Sequence, residues 1–315
     1  MKKIFCAVLF LTGVALYAQD ESGSAVTPSA SAGQSDNSPE KVRYNTIKYG
    51  TETEIVTLIQ TLKTEGSDYL DNEITALVEK TRNQKILAGA FSFFGEREKS
   101  GLEDRAIRAL EERDEEKNET ILAAIDYLGK AKAEKAAPVL RKLIESNEKR
   151  FVNAALRSFG RISGSGGRSS DAAEYLVDFY ENGSPDDESR REIIAALGAA
   201  GSASAVQFLA GIASNSDERA GLRTAALESI SKIGDSGGLD AVLACVTSSD
   251  PNLRSAAVTA LGPFPARLLM RRYLTRFGIP ITAPALRRHR PAASENLPPP
   301  YPTLNFAPNV TKFPR

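Results

Sequence analysis

Histidine is almost absent from this chain: His289 is the single imidazole in 315 residues. A metal centre built from several imidazoles, a Ser-His-Asp triad or a Cys-His pair therefore has almost nothing to draw on. Cysteine is nearly as scarce, with Cys6 and Cys245 alone. Cys6 lies inside an N-terminal apolar run. Once that run is removed Cys245 has no internal partner, and it reads as ordinary core packing. Long apolar runs are missing too. The one candidate, Ile4 to Leu16, falls short of the ~20 residues a spanning helix needs. No catalytic residues, no cofactor and no metal site are expected, and the chain is not expected to be an enzyme.

What the chain has in plenty is alanine and glycine in a recurring arrangement. Six times a large apolar residue stands directly before glycine at the end of an Ala-rich stretch: Phe94-Gly95, Leu128-Gly129, Phe159-Gly160, Leu197-Gly198, Ile233-Gly234 and Leu261-Gly262. The intervals are 34, 31, 38, 36 and 28 residues, the period of a helical-hairpin array. The clearest copy runs from Asp250 to Gly262. Leu253, Ala256, Ala257, Ala260 and Leu261 make one apolar stripe at helical spacing. Asp250 suits an N-cap, and Pro251 suits the first helical position, where a missing N–H costs nothing. Gly262 suits a left-handed residue closing the helix. After each glycine comes a second amphipathic segment, as in Ala136 to Ile144 and Ala205 to Ile212, and a turn rich in Asp, Asn and Ser restarts the cycle.

The Asp-Pro-x-x-Arg-x-Ala-Ala-x-x-x-Leu-Gly form at Asp250 to Gly262 resembles the short bacterial HEAT-like repeat of the phycobilisome-lyase type, and degenerate copies extend the resemblance back to Asn83. It implies an all-α fold: an α-solenoid of helical hairpins, here with a disordered N-terminal linker and an irregular C-terminal tail. The usual role of such an array is binding or scaffolding, because it builds an extended surface in place of a pocket. Some HEAT-like proteins are hydroxylases with paired His-Glu ligands; one histidine cannot supply these. A lyase role has no residue support here.

The ends differ from the array. Residues 1–18 read as an export signal, with Lys2 and Lys3 before the apolar core and Tyr17-Ala18 before cleavage at Gln19; Gly13-Val14-Ala15 is a second option. Residues 19–41 are rich in Ser, Ala, Gly and Asp and read as a flexible linker. N-terminal capping helices are expected over 42–82: one after the capping box Thr51 to Glu54, another from Tyr69 to Lys80. The array then spans 83–262. Residues 263–315 form a basic, Pro-rich tail with 11 of the 16 prolines, and only Arg267 to Phe277 suits a short helix there. Charge divides the same way: 29 basic against 39 acidic residues over 19–262, but 9 against 1 over 263–315.

The reading that follows is an exported scaffold, periplasmic or envelope-associated, that binds a protein partner in the cell envelope. An adaptor using its basic tail on an anionic membrane or the cell wall is the runner-up. Export and sparse interleaved aromatics argue against nucleic acid. The contact residues singled out are Arg190, Arg223 and Arg254 near helix starts, and Tyr180. Pairing of those arginines with turn aspartates such as Asp250 and Asp217 is their structural alternative. Glu111 to Glu116 reads as a solvated turn, and Gly164 to Arg168 as a flexible insertion, not a phosphate cradle.

Overall fold

The computed structural model describes residues 38–164 and 169–276; residues 1–18, read from sequence as an export signal, most of the linker, residues 165–168 of the Gly-rich insertion and the tail beyond 276 lie outside them. Among the described residues there are fifteen α-helices and no strand. In chain order they are α1 (Pro39–Tyr49), α2 (Glu52–Glu65), α3 (Asp71–Lys80), α4 (Gln84–Glu96), α5 (Glu103–Glu111), α6 (Asn118–Lys130), α7 (Ala137–Glu145), α8 (Val152–Ser163), α9 (Ser169–Asn182), α10 (Asp187–Ala200), α11 (Val206–Ser214), α12 (Ala220–Ile233), α13 (Leu239–Cys245), α14 (Pro251–Ala260) and α15 (Ala266–Arg276). The chain zigzags between two layers. Even-numbered helices pack side by side from α2 to α14, and the odd-numbered ones cover them.

Local chemistry explains where these helices start. Asp250 Oδ1 accepts from the Asn252 and Leu253 amides, and Pro251 opens α14, as the sequence predicts. Thr51 and Glu54 form the expected reciprocal capping box on α2. The glycines act differently from the expectation. Gly95, Gly129, Gly160 and Gly198 do not close their helices; they sit inside them, buried. Only Gly234 of the six has a left-handed backbone, and Gly262 does not. Each buried glycine is where the next even helix touches down. A Cβ on Gly129 would lie 2.7 Å from the Ser158 Cβ, and one on Gly198 2.8 Å from the Ser229 Cβ. Lacking a side chain lets neighbouring helices approach to backbone contact, as close packing requires.

A continuous apolar core runs along the seam between the layers. Four residues before each buried glycine stands a fully covered side chain: Phe91, Ile125, Leu156 and Ile194. Phe91 stacks on Tyr127 of α6 with ring centroids 5.8 Å apart. The Tyr127 hydroxyl accepts from the Leu102 amide at 2.9 Å, and burial pushes its pKa well above the usual tyrosine range. Cys245 is buried in the core as expected, its thiol raised by burial.

Charges fasten the steps. Lys63–Glu96 (2.6 Å), Arg108–Glu79 (2.9 Å), Arg157–Glu192 (3.0 Å) and Arg161–Asp126 (3.1 Å) each join neighbours in one layer, as does Arg219–Asp187. Exposed pairs of this kind contribute at most about 1 kcal/mol each.

Boundaries shift at three places. Residues 39–41, assigned to the linker, already belong to α1, whose start is capped by Ser38. The second capping helix begins at Asp71, not Tyr69. The start of the tail is ordered as α15, whose Leu268 and Leu269 pack against the core. The acidic run is only partly solvated. Glu116 is almost fully buried against Arg105 of α5 at 3.0 Å, and Arg113 pairs with Glu148.

Candidate functional site

The residues singled out from sequence divide into two groups. Arg223 and Arg254 hold turns. The Arg223 guanidinium donates through Nε to the Ala213 carbonyl at 3.0 Å, at the end of α11. Arg254 donates through Nη1 to the carbonyls of Ser248 (2.7 Å) and Ser249 (3.1 Å). Neither is paired with a turn aspartate; Asp250 Oδ1 accepts from the α14 amides instead. Arg190 and Tyr180, by contrast, are brought together: the guanidinium lies 5.3 Å from the tyrosine ring centroid, a cation–π contact. Tyr180 in turn meets Phe208 edge-on at 5.2 Å.

Phe208 leads to a feature the sequence did not disclose. A groove of about 790 Å3 opens along the odd layer between α9 and α11, with Arg141 of α7 at its side. Tyr175 and Phe208 supply its aromatic lining. Its rim is a row of carboxylates from α9: Asp171, Glu174, Asp178 and Glu181. Their spacing of three, four and three residues places them on one helix face. All four are exposed, and none ion-pairs with a described cation. On neighbouring steps Asp187 and Glu192 are fastened to arginine, while Glu145 and Glu228 are likewise without ion pairs among the described residues.

Arg141 does not neutralise the rim. Its guanidinium sits over two rings, 4.7 Å from the Tyr175 centroid and 5.3 Å from that of Phe159. Burial, with the charge of Glu145, pushes the Tyr175 hydroxyl up to about 12, so it stays protonated and neutral at ordinary pH. Burial likewise raises Tyr180. The groove thus offers negative charge over an apolar, aromatic lining. Among the described residues no group of three or more His, Cys, Asp or Glu side chains is arranged to hold a metal ion, and no helix is long and apolar enough to cross a membrane.

Two packed helical layers, a step of about one hairpin and an open lateral groove define a helical-repeat protein. The chain belongs to the spirochaete HEAT repeat protein family, whose model matches residues 47–270. No curated protein matches it. Among solved structures, it is similar to human deoxyhypusine hydroxylase in complex with glycerol, at 13% identity over 71% of this chain and 95% of that one, with a TM-score of 0.32. It is also similar to an engineered protein, at 18% identity over 67% of this chain and 96% of that one, with a TM-score of 0.38.

Proposed function

We propose that this protein is an exported scaffold of the bacterial envelope that binds a basic segment of a protein partner in the α9–α11 groove and performs no chemistry on it. The observation that carries this reading is the row Asp171, Glu174, Asp178 and Glu181, left without ion pairs beside a groove of about 790 Å3. A lysine- or arginine-bearing segment would meet opposite charge on the rim and apolar contact on Tyr175 and Phe208, the combination that gives both on-rate and affinity. Tyr180 and Arg190 serve by bracing Phe208 from behind. Export rests on residues 1–18, whose charged start and short apolar core suit a cleaved signal.

The adaptor reading, with the tail on an anionic surface, draws less support. Leu268 and Leu269 of α15 pack partly on the array, so those two apolar residues of the tail are not free for a surface.

The experiment is site-specific photo-cross-linking in cells from position 174, with mass spectrometry of the adduct. One reproducible envelope protein, cross-linked through a Lys/Arg-rich peptide and lost in a D171K/D178K/E181K variant, is the expected result. Adducts that survive the charge reversal would sink the groove as the binding surface.

A further inference from the structure

Asp171, Glu174, Asp178 and Glu181 line the α9–α11 groove with no described cation paired to any of them. Asp178 accepts from the neutral Asn182 amide, at 2.7 Å. Arg141 is held over the Tyr175 and Phe159 rings, not against the row. Such a row repels itself, because residues three and four apart are neighbours on a helix. An occupant bearing arginines would relieve that repulsion and could stack on Tyr175 and Phe208.

The chain carries one segment of that chemistry outside the described residues. Arg287, Arg288 and Arg290 stand together around His289, with Pro284 and Pro291 on either side. Residues 277–315 hold five Lys or Arg and one acidic residue, Glu295. The other stretches do not match the row. Residues 19–37 hold three acidic residues and no basic one, and residues 165–168 hold Arg168 alone. An arginine-bearing segment flanked by proline suits an aromatic groove with an acidic rim.

Spacing and reach agree with this match. Arg287 and Arg290 lie about 10 Å apart along an extended chain, and Glu174 and Glu181, seven residues apart on α9, about 10.5 Å. In the odd layer α15 is tied to α13 by Arg272–Asp240, and α13 packs on α11, one wall of the groove. Steps of about 8–10 Å per helix put the groove roughly 25–30 Å from α15. The ten residues 277–286 span about 30–35 Å when extended, enough to bring Arg287 there.

From these observations we infer that the chain's own residues 284–291 occupy the α9–α11 groove of the free protein and withhold it until a competing basic segment displaces them. The inference rests on the reading of this groove as a site for basic segments, and adds the device that sets when the site is open. A tether of this length gives an effective concentration of about 1 mM. A segment with an intrinsic Kd of about 0.1 mM would leave the groove open about one-tenth of the time, lowering a partner's apparent affinity about tenfold.

Two measurements on the purified full chain test it. Benzoylphenylalanine in place of Ser170, which lines the groove outside the row, should cross-link on illumination to a peptide within residues 277–300 of the same molecule. A fluorescein-labelled decapeptide of alternating lysine and alanine, followed by anisotropy, should bind R287A/R288A/R290A about tenfold more tightly than the parent. K312E/R315E removes more positive charge and should keep the parent's affinity; equal tightening there would reduce the effect to bulk charge and overturn the inference. Equal affinity for the parent and R287A/R288A/R290A, with binding lost in D171K/D178K/E181K, keeps the groove as a basic-segment site but overturns its occupancy by the tail. Binding to none of these proteins, or binding that survives reversal of the row, removes the groove reading and this inference with it. Adducts that join two molecules and rise with concentration make a second copy's tail the occupant and also overturn it.

Discussion

Gly160 of α8 rests on the backbone of Ala196 in α10: a Cβ added to the glycine would lie 2.7 Å from both the Ala196 Cα and its carbonyl oxygen. Backbone cannot swing aside as a side-chain tip can. Gly160→Ala should therefore destabilise by about 1–3 kcal/mol despite alanine's better helix propensity. Gly211 in α11 has nothing within 4 Å of its would-be Cβ, so Gly211→Ala should stabilise by about 0.5–1 kcal/mol. Urea midpoints at unchanged slope decide both; equal shifts of the same sign would contradict the packing role.

Arg105 and Glu116 are 8% and 7% exposed in their side chains, and Arg105 Nη1 and Glu116 Oε2 have no further partner. Removing one member leaves a buried charge alone, so Arg105→Leu or Glu116→Leu should each cost about 3–5 kcal/mol. The double substitution should recover most of that loss. A double-mutant cycle with no coupling would show the contact to be incidental.

Asp186 caps α10 by accepting from the Ser189 amide at 2.8 Å, and that bond holds its carboxyl below the ordinary value of 3.8. A depressed carboxylate stabilises the fold above its unfolded pKa and loses that contribution as pH falls through the folded one. Asp186→Ala should cost about 1 kcal/mol at neutral pH. The gap from the parent protein should begin to narrow below about pH 4 and shrink further as the pH falls through the lowered folded value. Denaturant titrations at pH 7 and pH 3 check it.

Tyr175 works at the opposite extreme. Its pKa of about 12 lies above the ordinary 10, so the fold favours the neutral phenol. Stability is unaffected below pH 10 and falls as pH rises from there, because the unfolded chain ionises first. Tyr175→Phe should flatten this alkaline loss relative to the parent. Absorbance titration should show a tyrosine class that ionises only late.

The period of the array was legible because six apolar-Gly pairs repeat it, and the ends of α14 because Asp250 and Pro251 carry their own chemistry. The role of the glycines was not. A glycine after a helical stripe looks the same whether it ends the helix or receives the next one, and only the neighbour's Ser158 or Ala196 decides. Helix α1 was hidden for another reason: of its side chains Ile47 alone is fully buried, too few to make a periodic stripe. Arg223 and Arg254 were singled out as contact residues, with pairing to turn aspartates as the alternative; their carbonyl partners lie in turns whose backbone path no residue pattern reveals. The acidic row of α9 was not singled out from sequence, because its spacing gains meaning only from α7 and α11, packed beside it by the fold.

The rungs of charge between steps also give each hairpin an address. Glu192 matches Arg157, one step before it, and Asp126 matches Arg161, one step after it, so each step is keyed to its own neighbours. Cutting out one internal hairpin and rejoining its neighbours would face unmatched keys, whereas trimming from either end leaves every remaining pair intact. An array of this kind can change length at its termini far more readily than in its middle.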